Sequence, residues 1–290
     1  MKILILRCWS FLVSLAFVLV IGSAMYFLLS NALPGIDMEA IFGTTPPIDA
    51  IFKGAMVWDA LWPAIAGTAY LLVLAMLFVL PLGTAGAVYL SEYAPARFRN
   101  VALSVLEIFT AIPSIVIGLF GFLLVVCLHR VLLPRASTSL LLAAFCLTLL
   151  VLPTFILTFH AAMRGLPHSL RVTASAIGLC HHAAVWHVFL PASGRGLASA
   201  FFLSAGRCAE DTAVILLTGA IANASTAPSL TGKFEALPFF IYYTTANYQS
   251  PEEFSRIFVA VFFLMVLACL LLFGGAMLQK VTFKHWNNPL

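Results

Sequence analysis

Three charged residues lie close together in an otherwise apolar run: Arg207, Glu210 and Asp211, within Arg207-Cys208-Ala209-Glu210-Asp211-Thr212-Ala213. Their chemistry suits an anion. A guanidinium presents a planar fork of N–H donors that grips an oxyanion by two oxygens at once, and neighbouring carboxylates compete for that fork. Competition of this kind suits a site that must release what it binds. On a helix, Glu210 and Asp211 fall at i+3 and i+4 from Arg207, so all three groups share one face. Arg207 lies roughly 17–20 Å into its apolar run, near the middle of a bilayer. Placing an arginine there costs about 2.5–3.5 kcal/mol, so it should face a cavity or a partner. A self-neutralising pair that only holds helices together remains a reading of the same residues. The anion step is favoured, because lipid selects against three charges needed only for packing.

A second constellation is Pro113, Ser114 and Gly118 in Ala111-Ile112-Pro113-Ser114-Ile115-Val116-Ile117-Gly118. Proline and glycine loosen a helix, and polar side chains or water re-satisfy the freed carbonyls. A hydroxyl there could line a pathway, and a plain structural kink is an equal reading. Glu107, a few residues earlier, reads as a gate or interface charge. No catalytic group, cofactor site or metal site is assigned. The six cysteines show no Cys-x-x-Cys pair and read as small apolar fillers. His182 and His187 have the His-x₄-His spacing of membrane di-iron enzymes, but no second box accompanies them. A phosphate-binding Gly-x-x-x-x-Gly-Lys-Ser/Thr loop is also missing, so any ATP must be bound by another subunit.

The elements that carry these residues must be membrane helices. Of 290 residues, 62% are hydrophobic and 9% charged, against about 25% charged in a soluble domain. Too few charges remain to wet a soluble surface, and no basic run suggests nucleic acid. The apolar run from Cys8 to about Leu29 is too long for the core of a cleaved signal peptide and reads as a retained first span. Further runs at about 63–90, 101–127, 138–161, 194–222 and 256–279 bring the total to six helical spans, the form lipid favours because it offers backbone groups no partner. Lysine and arginine orient them. With both termini inside, the inner segments hold nine (Lys2, Arg7, Arg97, Arg99, Arg164, Arg171, Arg195, Lys280, Lys284), and the outer segments five (Lys53, Arg130, Arg135, Lys233, Arg256). Residues 1–62 form a first helix with an outer loop, and 63–285 the core; the outer segments at about 31–62 and 223–255 are long, rich in Pro, Gly and Asn, and read as loops.

The inner segment 162–193 looks too structured for a linker. Pro167 can open a helix, Leu170 to Ile177 follows, and Gly178 can end it in a left-handed turn. A second stretch from His181 to Leu190 should stop at Pro191. The pattern Ala174-Ser175-Ala176-Ile177-Gly178, nine residues, then Val188-Phe189-Leu190-Pro191 resembles the coupling loop of bacterial ABC importer permeases. That resemblance implies a docking element for a dimer of ATPase subunits, with Val172, Ala174, Gly178, Leu190 and Pro191 in the motif. The family's glutamate position is Val172 here, so a charged contact is lost or made elsewhere. Three further stretches, Pro81-Leu82-Gly83-Thr84-Ala85-Gly86-Ala87-Val88-Tyr89-Leu90-Ser91-Glu92-Tyr93-Ala94, Ala111 to Gly121 and Arg207 to Ala213, resemble permeases of phosphate-specific ABC importers, nearer the A-type than the C-type. The resemblance implies an all-α, type I ABC importer permease fold without enzymatic activity, in a bacterial inner membrane. It implies a second permease of similar fold, a periplasmic phosphate-binding protein, and a pathway including Arg207, Glu210, Asp211, Thr212, Ser114, Pro113, Gly118 and Glu107. Another oxyanion as substrate, or a secondary transporter, is the alternative.

Overall fold

The computed structural model describes residues 2–52, 55–57, 60–131, 137–222 and 229–286. In chain order the helices are α1 (Lys2–Ala32), α2 (Met38–Phe42), α3 (Pro47–Phe52), α4 (Trp62–Val88), α5 (Ala96–Thr110), α6 (Ser114–Val131) and α7 (Leu140–Arg164). They continue with α8 (His168–Ala176), α9 (His181–Ala184), α10 (Leu190–Ala192), α11 (Gly194–Glu210), α12 (Ala213–Thr218), α13 (Leu237–Asn247) and α14 (Pro251–Trp286). Among the described residues the only β pairing is an isolated bridge between Ala220 and Phe234. The fold is all-α.

Helices α4, α7 and α11 form the core. Gly83 lets α4 approach α7 so closely that a β-carbon there would collide with the ring of Phe155. The small-residue stretch from Gly83 to Ala87 is therefore a packing seam, as membrane helices need when lipid supplies no hydrophobic drive between them. Phe155 and Phe159, both fully buried, fill the seam. The Thr148 hydroxyl lies 2.7 Å from the Ala144 carbonyl of its own helix and 3.3 Å from that of Ala75 on α4. Helix α14 lies against α11, and α1 lies against α14, with Phe27 meeting Phe258 edge-on. At the end opposite the 162–193 elbow, residues 229–237 cross the starts of α4 and α7. There Leu140 and Leu141 donate to the carbonyls of Gly232 and Leu230, and Leu237 N–H donates to the Thr68 hydroxyl.

Four helical segments can cross a membrane unaided: Trp9–Gly35, Trp62–Tyr93, Leu140–Arg164 and Pro251–Gly275. The other two expected spans are not single straight helices. The run expected at 101–127 bends by 92° between α5 and α6. Pro113 is the cause, since it offers no N–H and its ring clashes with the preceding turn. The end of α5 is closed by tight Ala111→Ile108 and Ile112→Phe109 bonds and by the Thr110 hydroxyl on the Glu107 carbonyl. The run expected at 194–222 ends its helix at Glu210 and restarts at Ala213. The second bent pair is instead His181–Ala192 with Gly194–Glu210, at 63°, so this span takes in the end of the elbow and stops before α12; with each bent pair taken as one span, the total is up to six. The segment expected as the outer loop 223–255 contains α13, and the earlier loop contains α2 and α3.

Candidate functional site

The elbow forms as expected at its turn and differently at its end. Helix α8 begins one residue after Pro167, which caps it. Gly178 has φ +77°, a region where a β-carbon is strained. Around it Leu179 N–H reaches the Ala174 carbonyl and Gly178 N–H the Ser175 carbonyl, the paired bonds of a Schellman ending. Pro191 does not stop the second stretch. The helix widens into a π turn over Val185–Phe189, with Leu190 N–H on the Val185 carbonyl. Pro191 then sits in a fresh first turn, where its missing N–H is harmless, and the chain turns by 63° between Ala192 and Gly194. Ala174 is buried, Leu190 half-buried and Pro191 exposed, while Val172 faces outward.

An ion pair that sequence reasoning missed ties this elbow to α4. Beyond Val88, α4 continues as a second π turn, Tyr89–Tyr93. From it the carboxylate of Glu92 accepts two N–H bonds from Arg171, at 2.7 and 2.8 Å. Arg171 also donates to the Met163 carbonyl at 3.1 Å and lies 4.8 Å over the Phe189 ring. His181 Nε2 is 3.1 Å from the Glu92 carbonyl, and His182 Nδ1 is 3.2 Å from the Tyr93 hydroxyl. Next to them the Ser91 hydroxyl meets His160 Nδ1 at 2.9 Å. The available signal was charge balance: residues 162–193 contain arginines and no acid, so a partner for Arg171 had to come from another segment.

The anion constellation is rearranged. Arg207 lies half-buried near the end of α11, and its guanidinium donates to the Thr154 hydroxyl on α7 at 3.0 Å. Among the described residues no ion pair joins it to Glu210 or Asp211. The expected single helical face fails because the helix ends at Glu210. Asp211 is extended, with φ −76° and ψ 114°, and its carboxylate accepts the Val214 N–H at 2.8 Å. It acts as a capping group for α12. Glu210 is exposed, and Thr212 is half-buried in the break.

The bend in α5–α6 and the break in α11–α12 meet. A β-carbon on Gly118 would sit 3.0 Å from the Ala213 carbonyl and 3.1 Å from Val214 Cα, and one on Gly121 would meet Cys146 and Thr218. Helix α6 thus crosses α12 at near backbone contact directly beyond Asp211 and Thr212. Ser114 lies one turn before Gly118 on the same side of α6. Pro113 and Glu107 are exposed, at the bend and on α5. No cluster of three or more metal-ligating side chains exists among the described residues.

This all-α membrane bundle with two bent spans and a helical elbow has the type I fold of ABC importer permeases. The chain belongs to the family of binding-protein-dependent transport system inner membrane components, which it matches over residues 80–282. It is 27% identical over 229 residues to phosphate transport system permease protein PstA 1 of Mycobacterium tuberculosis, covering 78% of this chain and 72% of that one. It is 33% identical over 159 residues to the probable ABC transporter permease protein YqgH of Bacillus subtilis, covering 54% and 52%. A bacterial alginate ABC transporter, solved with an alginate-pentasaccharide-bound periplasmic protein, shares the fold at 16% identity, with a TM-score of 0.67 over 96% of this chain and 95% of that one.

Proposed function

We propose that this permease carries inorganic phosphate inward across a bacterial inner membrane. Both termini lie in the cytoplasm, and residues 162–193 dock on a dimer of ATPase subunits. A second permease of similar fold completes the pathway, and a periplasmic phosphate-binding protein delivers the anion to the opposite end. The permease has no enzymatic activity of its own. The observation that carries the substrate is Arg207, a half-buried guanidinium on α11 whose hydrogen bond goes to a neutral hydroxyl on α7, in a chain related to permeases named for phosphate. Its other donors can grip a tetrahedral anion two oxygens at a time. Glu210, Asp211 and Thr212 border the same break, while Pro113, Ser114 and Gly118 set the helix that crosses it. Glu107 lies on the approach along α5.

The test is uptake of labelled phosphate by the complete transporter in vesicles. The expected result is import that requires ATP and the binding protein and is not diminished by excess sulfate. Import driven by an ion gradient without ATP would make the protein a secondary transporter. Strong competition by sulfate or molybdate would move the substrate to another oxyanion. The coupling role is tested separately by Gly178→Val. A β-carbon at a left-handed position costs about 1–2 kcal/mol, so the elbow should lose its ATPase while the spans still insert. Normal assembly and import in that variant would place docking elsewhere.

A further inference from the structure

We infer that Glu92 and Arg171 are positioning residues, a strut that carries movement of the elbow into α4; this rests on the coupling reading above. Three observations lead there. First, the elbow has no acid of its own, and Val172 occupies the position where the resembled motif carries one. The neighbouring arginine is turned inward instead of toward a partner. Second, the pair is built for stiffness. Glu92 has 3% of its side chain exposed and Arg171 24%, and the contact is two-pronged. A paired, desolvated carboxylate and guanidinium tolerate little change in geometry, because separation leaves a buried charge unmatched.

Third, the guanidinium is the meeting point of four segments. It extends from α8, bonds the carboxylate of the π turn that ends α4, bonds the carbonyl of Met163 at the end of α7, and covers Phe189 in the elbow's own π turn. Single π turns concentrate at functional sites, and here one side chain bridges two of them. The same α4 turn also holds the returning half of the elbow, through His181 on the Glu92 carbonyl and His182 on Tyr93. The elbow therefore cannot rotate without pulling the end of α4, and α4 packs along the whole α7 seam. An ion pair that only stabilised the elbow would join α8 to α9, within the elbow itself. This one leaves the elbow for a spanning helix.

The experiment reconstitutes the complete transporter, with ATPase and binding protein, and measures phosphate import and ATP hydrolysis in the same vesicles. In Glu92→Gln the ATPase should still co-purify and hydrolyse, while phosphate imported per ATP falls by about tenfold. Arg171→Lys keeps the charge and loses the fork, so its ratio should fall less. The double variant Glu92→Gln/Arg171→Gln should be no worse than Glu92→Gln alone, as for two groups acting as one unit. An unchanged import-to-hydrolysis ratio in Glu92→Gln overturns the strut. So does failure of both Glu92→Gln and Arg171→Lys to assemble, which would make the pair folding glue. Cross-linking from a cysteine introduced as Ile177→Cys, in a Cys180→Ser background with the Glu92–Arg171 pair intact, separates the two readings. No cross-link to the ATPase brings down coupling and strut together, whereas a normal cross-link with an unchanged ratio removes only the strut.

Discussion

Two arginines of this chain meet acids in opposite ways. Arg171 lies 79 residues from Glu92 in sequence, yet both its fork and its ring-facing surface are committed. Arg207 has two acids within four residues, and among the described residues it forms an ion pair with neither, resting instead on Thr154. The difference is made by the backbone. A continuous helix would have placed Asp211 one turn above Arg207, but the extended conformation at Asp211 turns its carboxylate to the N–H groups of α12. Nearness in sequence did not produce a pair, and a packed tertiary junction did. An arginine locked to a carboxylate defines a geometry; one held by a single neutral hydroxyl keeps donors for a ligand.

The sharpest way to break this contrast is Arg207→Lys. The charge stays and the fork is lost, so phosphate uptake should fall at least about tenfold, the equivalent of roughly 1.4 kcal/mol, with normal membrane abundance. Near-normal uptake would reduce Arg207 to a packing role like that of Thr154. A smaller effect distinguishes cap from charge at Asp211. Asp211→Ala removes the acceptor for Val214 and should cost about 1 kcal/mol, read as a lower melting temperature. Asp211→Asn keeps the oxygen and should stay within about 0.5 kcal/mol of the native protein. Equal losses in both would mean that the negative charge, and so an electrostatic link to Arg207, matters after all. Smallest of all should be Val172→Glu. The position is exposed, so stability should move by less than about 0.5 kcal/mol, and a buried, two-pronged Arg171 should not leave Glu92 for it. A fall in import as large as that expected of Glu92→Gln would show Arg171 to be loosely held.

Much of the architecture was legible because hydropathy writes it directly. The runs that became α1, α4, α7 and α14 are long, apolar and flanked by polar segments, and lipid admits only helices there. The Gly178 turn was legible because a left-handed helix ending has a local sequence signature. The bend at Pro113 was readable as a loosened helix but not as 92°. Apolarity continues on both sides, and the angle is fixed by how Gly118 and Gly121 seat α6 on α12. The break after Glu210 was hidden because Asp211 can sit in a helix or cap one, and only the tertiary setting decides. The Glu92–Arg171 pair was hidden by distance along the chain; only the uncompensated charge of the elbow hinted at it. Helix α13 was missed because proline and asparagine around it read as loop.

The first helix adds one more consequence. In this chain α1 lays none of its most apolar stretch into the core and touches the bundle chiefly along α14. Within this chain little packing depends on the order of its residues, and its outer surface is left to lipid or to the second permease proposed above. Between relatives of this permease, similarity should fade first at the amino terminus, while Gly83, Phe155 and Gly118 resist change because each fills or vacates one particular space.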